Sequence, residues 1–332
     1  MNSFGNIFRV HVFGESHGEC VGIIIDGVPA GLAFTEENLL PDLERRKGGL
    51  QKGTTPRQEA DYPIFKSGIF NGKSTGFPLT ILFKNNNFRS EDYQEQRVIP
   101  RPGHADWVAH QKFGGNEDYR GGGHFSARLT TGIVAAGAIA KMLIPQIIIS
   151  AKVISIGGET DLEKGLQVAI DAKDSIGGIV DCTASNLPVG LGEHFFDSVE
   201  SMLSHAVFSI PAVRGIEFGT GFAAAKMFGV NHNDAILDAS GKTSTNHAGG
   251  IVGGITNGND LYFKIAIKPT ASTPKEQQSW NWESNIVEPF SVKGRHDLCI
   301  ALRVPVVLEA VTSMVLVDLM LRAQQIPLII KD

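Results

Sequence analysis

Two stretches of the chain share one pattern that decides the fold: residues 22–32 read GIIIDGVPAGL and residues 178–191 read GIVDCTASNLPVGL. Each begins with an apolar run rich in β-branched residues, which is typical of a strand, and each ends in P-x-G-L. Each leads into a segment with helix-like character, TEENLLPDLERR with Thr35 as its N-cap, and EHFFDSVESMLSHAV. The match predicts that one structural unit occurs twice.

Further pairs of motifs follow in the same order. GIFNGKSTG (68–76) and GIVGGITNG (250–258) both precede a strand-like run, PLTILFK and LYFKIAIK. RPGHAD and GGGHFSAR lead into the apolar segment ARLTTGIVAAGAIAKMLI, whereas KGRHDL leads into VPVVLEAVTSMVLVDLML. We therefore predict a single domain over 1–332, made of two repeats near 1–150 and 151–332.

The two long apolar segments and the hairpin-linked strands indicate the fold class. Both segments are apolar around the whole helix, which predicts burial on every side. Strands joined by hairpins form antiparallel sheets. The sequence thus predicts an α+β fold in which buried helices lie between antiparallel sheets. Residues 156–178 are polar, and we expect them to form a surface excursion.

Composition bounds the functional class. Of the 332 residues, 42% are hydrophobic and 20% are charged, as in ordinary globular domains. A net charge of −5 argues against a general nucleic-acid binder. Cys20, Cys182 and Cys299 form no C-x-x-C pair, which favours a reducing compartment and no metal site. With no signal-peptide pattern and no apolar run of membrane-spanning length, we expect a cytoplasmic protein without a membrane partner.

The pentapeptide GESHG (14–18) fits G-x-S-x-G, the nucleophile motif of serine hydrolases. That motif requires a strand, a sharp turn and a helix. Here FRVHVFG precedes it and ECVGIIIDGVP follows, which predicts strand, turn and strand. The context favours a hairpin turn over a nucleophile at Ser16, so His17 becomes the residue of interest.

Nucleotide-binding motifs are imperfect. FNGKST and SGKTST both lack the earlier glycine of a phosphate-binding loop. Residues 219–224, GTGFAA, fit G-x-G-x-x-A after a strand-like run, with Asp238 at a suitable distance, but the following helix would be too short. An NAD(P)-dependent oxidoreductase that uses GTGFAA stays open as an alternative.

Basic side chains concentrate in glycine-rich or turn-like segments, where guanidinium groups suit phosphate and carboxylate recognition. They are Arg45, Arg46, Lys47, Lys52, Arg57, Arg101, Arg120, Arg128, Lys268, Arg295 and Arg303. His17, His104 and His124 occur in the same kind of segment, which indicates acid–base chemistry beside an anion. Asp297 in GRHD is either an ion-pair partner or a base. These residues predict a small multi-anionic ligand, and a non-catalytic anion-binding protein is the other alternative.

Several of these motifs together resemble a known family. FGESHG followed by GIIIDGVPAGL, then RPGHAD, DYRGGGHFSARLT, NHAGGIVGGI, IKPTAS and GRHDLCIALRVPVVLEA are similar, in this order, to the motifs of the chorismate synthases. The resemblance runs from near residue 8 to near residue 322. It implies helices sandwiched between antiparallel sheets, and a homotetramer.

The resemblance implies a carbon–oxygen lyase of the shikimate pathway. Family members convert 5-enolpyruvylshikimate 3-phosphate to chorismate by 1,4-anti elimination of phosphate, and they require reduced FMN without net redox change. NADPH enters only as a reductant of the flavin. By the same resemblance, His17 would protonate the departing phosphate, His104 would lie by the flavin, and Asp297 would assist removal of the C6 hydrogen.

The resemblance and the basic segments also give the binding residues. Substrate anions would be bound by Arg45, Arg46, Lys52, Arg57 and Arg128. The flavin would be contacted by His124, Phe125, Ser126, Pro211, Ala212, Gly253, Lys268, Pro269, Thr270, Ala271, Ser272 and Arg295. The chain departs from the family pattern at His124 and Phe125, which replace an Arg-Ser pair, at Pro211, which commonly is Asn, and at Lys52, which commonly is Arg.

Overall fold

The computed structural model describes residues 2–49, 51–55, 59–86, 97–292 and 296–331. The α-helices are α1 Leu40–Arg46, α2 Asp106–Phe113, α3 Thr130–Leu143, α4 Leu162–Ala172, α5 Val199–Val207, α6 Gly229–His232 and α7 Val304–Arg322. Short 3-10 helices span Glu36–Leu39, Arg120–Phe125, Ala127–Leu129, Phe195–Asp197, Gly221–Lys226 and Ile300–Arg303.

The strands come mainly from two separate parts of the chain. In the first part they are β1 Ser3–Phe4, β2 Arg9–Gly14, β3 Cys20–Asp26, β4 Ile64–Ser67, β5 Ile69–Phe70, β6 Lys73–Ser74 and β7 Leu79–Lys84. In the second they are β8 Ile148–Ile156, β9 Gly178–Ser185, β10 Val213–Phe218, β11 Ile251–Val252, β12 Ile255–Thr256, β13 Leu261–Ile267, β14 Gln277–Asn281 and β15 Ile286–Phe290.

The larger sheets are both antiparallel. The first has the order β1-β2-β3-β7-β4 and the second β10-β13-β9-β8, while β5–β6, β11–β12 and β14–β15 form separate hairpins. When β1 is left aside and the strands of each sheet are counted along the chain, they lie side by side in both sheets in the order first, second, fourth, third. The predicted repeat requires this shared order, although the repeat itself stays a prediction.

Helices α3 and α7 form the centre of the fold. Helix α3 packs on β3 and β7 of the first sheet, α7 packs on β8 and β9 of the second, and the two helices contact each other. Where they cross, a Cβ on Gly137 would overlap the Cα and Cβ of Ala310. Most side chains of both helices are buried, and the predicted layering of buried helices between antiparallel sheets is confirmed.

The apolar character of α7 has a structural cause. The expectation that no apolar run has membrane-spanning length was wrong: by length and composition alone, the segment Ile300–Arg322 could cross a membrane, but 94% of its apolar window is buried inside the protein. A helix enclosed by two sheets and other helices must be apolar on every face. The segment is therefore a core helix.

Two local predictions were wrong in detail. The segment EHFFDSVESMLSHAV becomes α-helical only from Val199, because Ser198 caps α5 and Phe195 has a φ of 65°, outside the helical region. The expected surface excursion at 156–178 contains α4, which buries Leu166 and Ala169. Its polar residues form the outer face of this amphipathic helix.

Candidate active site

A cavity of about 1080 Å³ brings together turns from both halves of the chain. It lies beside the N-terminal ends of α3 and α7 and is bounded by the turns at 101–105, 121–129 and 268–272. The predicted site residues that line it are Arg46, His104, His124, Phe125, Ser126, Arg128, Pro211, Ala212, Lys268, Pro269, Thr270, Ala271, Ser272 and Asp297.

Two arginines on one wall share a buried carboxylate. Arg46, at the end of α1, donates from Nη2 to Asp61 Oδ2 at 2.6 Å. Arg128, just before α3, donates from Nη1 to the other oxygen of Asp61 and from Nε to Asn85 Oδ1 at 3.0 Å. Burial, together with the nearby Arg303 and Arg128, lowers the pKa of Arg46 to about 10 despite the attraction of Asp61.

Asp61 has the opposite balance. Burial by itself would raise its pKa, but the Arg46 and Arg128 guanidinium groups hold the pKa of the Asp61 carboxyl below its usual range. The carboxylate is therefore charged and fixes two guanidinium groups beside the cavity. Two guanidinium groups held side by side at the cavity wall suit the oxygens of a phosphate or carboxylate.

Asp297 lies on a neighbouring wall in a second ion pair. Its Oδ1 accepts from the backbone N–H of Thr55 at 2.9 Å, and its Oδ2 accepts from Arg303 Nη1 at 3.0 Å. Arg303 also donates from Nε to the backbone carbonyl of Arg46 at 3.0 Å. The sequence left Asp297 open as an ion-pair partner or a base. The structure shows the ion pair, at a residue that lines the cavity.

His104 belongs to a third cluster. Asp106 Oδ1 lies 2.5 Å from His104 Nδ1, and the same carboxylate accepts from Arg101 Nε at 2.7 Å and from Arg101 Nη2 at 2.8 Å. Arg101 Nη2 also lies 3.0 Å from His104 Nδ1, but the Asp106 carboxylate is nearer and only accepts, so we assign the hydrogen to Nδ1, which leaves Nε2 as the basic nitrogen of the neutral ring. Burial lowers the pKa of His104, although Asp106 opposes the shift.

The turn at 268–272 closes the cavity from the second half of the chain. Lys268 donates through its backbone N–H to the carbonyl of Ala212 at 2.9 Å and through Nζ to the carbonyl of Gly103. Ser272 Oγ accepts from Arg101 Nη1 at 3.2 Å. Ala212 has a φ of 74°, an uncommon backbone conformation for a residue with a side chain. Such outliers concentrate at ligand sites.

The segment 120–126, with its glycines Gly121 to Gly123, crosses one side of the cavity. His124 Nδ1 donates to the carbonyl of Gly14 at 2.9 Å, which ties the segment to the hairpin that carries His17. His17 is 3% exposed and does not line the cavity. Its ring lies against Gly121, which does line it.

Some predicted residues lie elsewhere. Arg45 forms a two-pronged pair with Glu309, at 2.7 Å for each bond, outside the cavity lining. Lys52 Nζ donates to Gln167 Oε1 at 3.2 Å, and Gly253 is in the turn of the β11–β12 hairpin. Arg57 and Arg295 fall outside the described residues.

The carboxylates of Asp61 and Asp106, which hold the arginines in place, were not predicted as site residues. Asp61 follows a basic segment closely and Asp106 is the last residue of RPGHAD, so an acidic residue near basic ones was the available signal. His205, which was not among the predicted site residues, lines the cavity with its ring edge-on to Phe4 at 5.3 Å. Nothing in the sequence around His205 indicated that placement.

The dinucleotide motif does not have the required surroundings. After β10, residues Gly221–Lys226 form a short 3-10 helix rather than the helix of a βαβ unit. Strands β1 to β15 pair only antiparallel wherever the structure describes a ladder between them.

Comparison with known proteins agrees with this architecture. Residues 8–321 match a family model described as chorismate synthase. A chorismate synthase of Chitinophaga pinensis is 67% identical over 326 residues, covering 98% of each chain, and one of Dehalococcoides mccartyi is 43% identical over 362 aligned positions, covering 100% of each. A crystal structure of a chorismate synthase superposes with a TM-score of 0.72 at 26% identity, covering 96% of this chain and 93% of that one. The chain therefore belongs to the chorismate synthase family, whose members are lyases of the shikimate pathway.

Proposed function

We propose that the cavity is where this chain carries out the reaction of its family, the 1,4-anti elimination of phosphate from 5-enolpyruvylshikimate 3-phosphate. The observation that carries the proposal is the pair Arg46 and Arg128, held side by side by Asp61 at the cavity wall. Guanidinium forks match phosphate and carboxylate oxygens, and they act strongly where water is excluded. Both arginines are at least nine-tenths buried, so a substrate anion would meet them in a dry environment.

The proposed catalytic residues are His17, His104 and Asp297. The elimination breaks the bond between C3 and the phosphate oxygen and removes a hydrogen from C6. His17 is the general acid for the departing phosphate; because Gly121 separates its ring from the cavity, this role requires a small shift when the substrate binds. Asp297, oriented by Arg303 and Thr55, accepts the proton. His104, with Nε2 as its basic nitrogen, lies at the flavin.

The walls also suit reduced FMN, which we propose as the cofactor. Thr270 Oγ1 is buried without a hydrogen-bond partner among the described residues, and so is Arg46 Nε. Both residues line the cavity, so polar ligand atoms can satisfy them. The residues that would hold the flavin are those of the turns at 124–126, 211–212 and 268–272. When bound, reduced FMN supplies electron density transiently as phosphate leaves, with no net oxidation.

A role in binding is also proposed for five residues that do not line the cavity or lie outside the described residues: Lys52, Arg45, Arg57, Gly253 and Arg295. NADPH acts only as a reductant of the flavin, and the protein is cytoplasmic. The two predicted repeats, 1–150 and 151–332, would form one domain, since α3 of the first and α7 of the second share one core.

We further propose a homotetramer. The segment after β10 exposes large apolar side chains, among them Phe222 at 85% and Phe228 at 78% exposure. Val230, Ile236 and Leu237 of the same segment are also exposed. A concentration of large exposed apolar side chains suits an interface between protein chains. Light scattering of the purified protein tests the mass, and Phe222→Ser with Phe228→Ser should lower it.

The experiment for the activity is anaerobic incubation with 5-enolpyruvylshikimate 3-phosphate and chemically reduced FMN. Phosphate and chorismate formed in equal amounts, without net flavin oxidation, are the expected result. Arg46→Gln should then raise KM, whereas Arg322→Gln, which removes the same charge from a surface pair with Asp197, should not. NAD(P)H consumed in step with product would support an oxidoreductase instead, and phosphate binding without turnover would support an anion-binding protein.

A further inference from the structure

Two adjacent glycines contact the two imidazoles to which the proposed function assigns catalysis. A Cβ on Gly121 would overlap Cε1 and Nδ1 of the His17 ring. A Cβ on Gly122 would lie 3.0 Å from Cε1 and 3.1 Å from Nε2 of His104. A side chain at Gly121 would thus collide with the His17 ring, whereas one at Gly122 would press on the His104 ring, which would have to give by a few tenths of an ångström.

The backbone of this segment is held in the conformation that creates these contacts. Gly121, Gly122 and Gly123 have φ values of 60°, 81° and 51°, in the region that favours glycine. The carbonyl of Gly123 accepts from the N–H of Ser16 at 3.1 Å, and the N–H of Gly122 donates to the carbonyl of Tyr119 at 3.2 Å. The first bond ties the segment to the hairpin that carries His17, and the second closes a turn within the segment.

The contacts also fix where the reactive atoms of His104 lie. Its Nδ1 is occupied by Asp106, so Nε2 is the nitrogen that remains for chemistry, and Nε2 is one of the two atoms nearest to Gly122. For His17, Gly121 is the layer of backbone between the buried ring and the cavity. A methyl group on either glycine would displace the neighbouring ring.

We propose that Gly121 and Gly122 are positioning residues, and that each sets the place of one imidazole, Gly121 that of His17 and Gly122 that of His104. The catalytic consequence rests on the proposed function, whereas the placement itself does not. A catalytic group displaced by about 1 Å can lose about 100-fold in rate. Gly121→Ala should therefore lower kcat by about 100-fold, because its methyl group would obstruct the shift that brings His17 to the substrate. Gly122→Ala should lower kcat less, because the His104 ring would have to give by only a few tenths of an ångström. KM should change little in both variants.

The first measurement does not depend on activity. In the wild type the His17 ring is 3% exposed, so diethyl pyrocarbonate should modify it slowly, as read by peptide mass spectrometry. Gly121→Ala should increase the modification rate of His17. Gly72→Ala is the matched control, because Gly72 has a φ of 72° with nothing within 4 Å of its Cβ position. An unchanged rate at His17 in a folded Gly121→Ala variant would overturn the proposal, even if the chain showed no turnover.

The second measurement is a pair of double-mutant cycles on kcat. If Gly121 acts through His17, Gly121→Ala should cost nothing further in a His17→Ala background, yet its full effect should persist in a His104→Ala background. Gly122→Ala should show the reverse. Equal costs in all backgrounds would mean a general structural effect and would overturn the proposal. Should Gly121→Ala fail to fold, Gly122→Ala keeps the test, because its Cβ would come no nearer than 3.0 Å to a neighbouring side chain, compared with 2.2 Å at Gly121.

Discussion

Arg46 Nη2 and Asp61 Oδ2 lie 2.6 Å apart, and the side chains are only 4% and 1% exposed. The same carboxylate also holds Arg128. One buried anion thus keeps two cations together at the wall of the cavity. Removing one member of such a buried network leaves the remaining charges uncompensated, which is more costly than the pair itself is stabilising.

Asp61→Asn should therefore lower the free energy of unfolding by about 3–5 kcal/mol, measured by urea denaturation. The matched control is Asp197→Asn, whose partner Arg322 forms a partly exposed pair at 2.8 Å, and it should cost less than about 1 kcal/mol. Inorganic phosphate should raise the melting temperature of Asp61→Asn more than that of the wild type, because it supplies the missing negative charge. Similar losses in both variants would contradict the assignment.

His17→Ala should lower turnover with reduced FMN by about 100- to 10,000-fold, the usual contribution of a general acid. Flavin affinity should be unchanged. Ser16→Ala, at the neighbouring position of the same turn, is the control and should retain activity. Near-normal turnover of His17→Ala would contradict its role as general acid. A trapped covalent adduct at Ser16 would instead support a serine nucleophile in GESHG.

The stability of the protein should fall with acidification below neutral pH, in part through His104. Burial lowers the pKa of His104 below the value of 6.5 that it has when exposed, so the unfolded chain binds a proton that the folded chain does not. As pH falls below that value, the free energy of unfolding should decrease by up to about 1.4 kcal/mol per pH unit, until the lowered folded pKa is reached. His104→Gln should lose this part of the pH dependence, measured by urea denaturation between pH 7 and pH 5, a window of roughly two units around the exposed value. Identical slopes would show that His104 is not the group responsible.

Asp106→Asn should lower the pKa of His104 further, because the Asp106 carboxylate raises that pKa against the effect of burial. Nuclear magnetic resonance of the ring Cε1 proton measures the shift directly. A rise in the His104 pKa in this variant would contradict the pairing of Asp106 with Nδ1.

Gly137→Ala should destabilise the fold by about 1–3 kcal/mol through overpacking, because its methyl group would overlap Ala310 where α3 crosses α7. Gly229→Ala is the control, since it is a helical glycine with nothing within 4 Å of its Cβ position. Urea denaturation measures both variants, and the midpoint of Gly137→Ala should be the lower of the two. A stable Gly137→Ala variant would mean that α3 and α7 separate more easily than their burial implies.

Turnover should depend on flavin that is reduced externally. The described residues around GTGFAA do not form a βαβ unit, and the segment offers no helix of sufficient length for a pyrophosphate. Aerobic incubation with NADPH and oxidised FMN, without an added reductase, should give no chorismate. Product formation under those conditions would show that the chain reduces its own flavin.

The layered fold could be predicted from the sequence. The apolar strands at 22–26 and 178–182 and the apolar segments at 130–143 and 304–322 required burial on both faces, so antiparallel sheets had to enclose helices. Periodicity and turn residues are local properties that can be read along the chain. The basic segments that contain Arg46 and Arg128 could also be identified from the sequence, because their motifs are local.

Which charged side chains pair with one another depends on the tertiary structure. Asp61 lies 15 residues from Arg46 but 67 from Arg128, and the sequence contains no signal that one carboxylate joins them. The tertiary structure also gives adjacent arginines different surroundings. Arg46 lines the cavity, whereas Arg45, on another face of α1, pairs with Glu309 of α7. Adjacent helical residues point about 100° apart, so small differences in helix rotation decide which arginine reaches the site. Pairing of this kind depends on packing between distant segments, and no local pattern contains it.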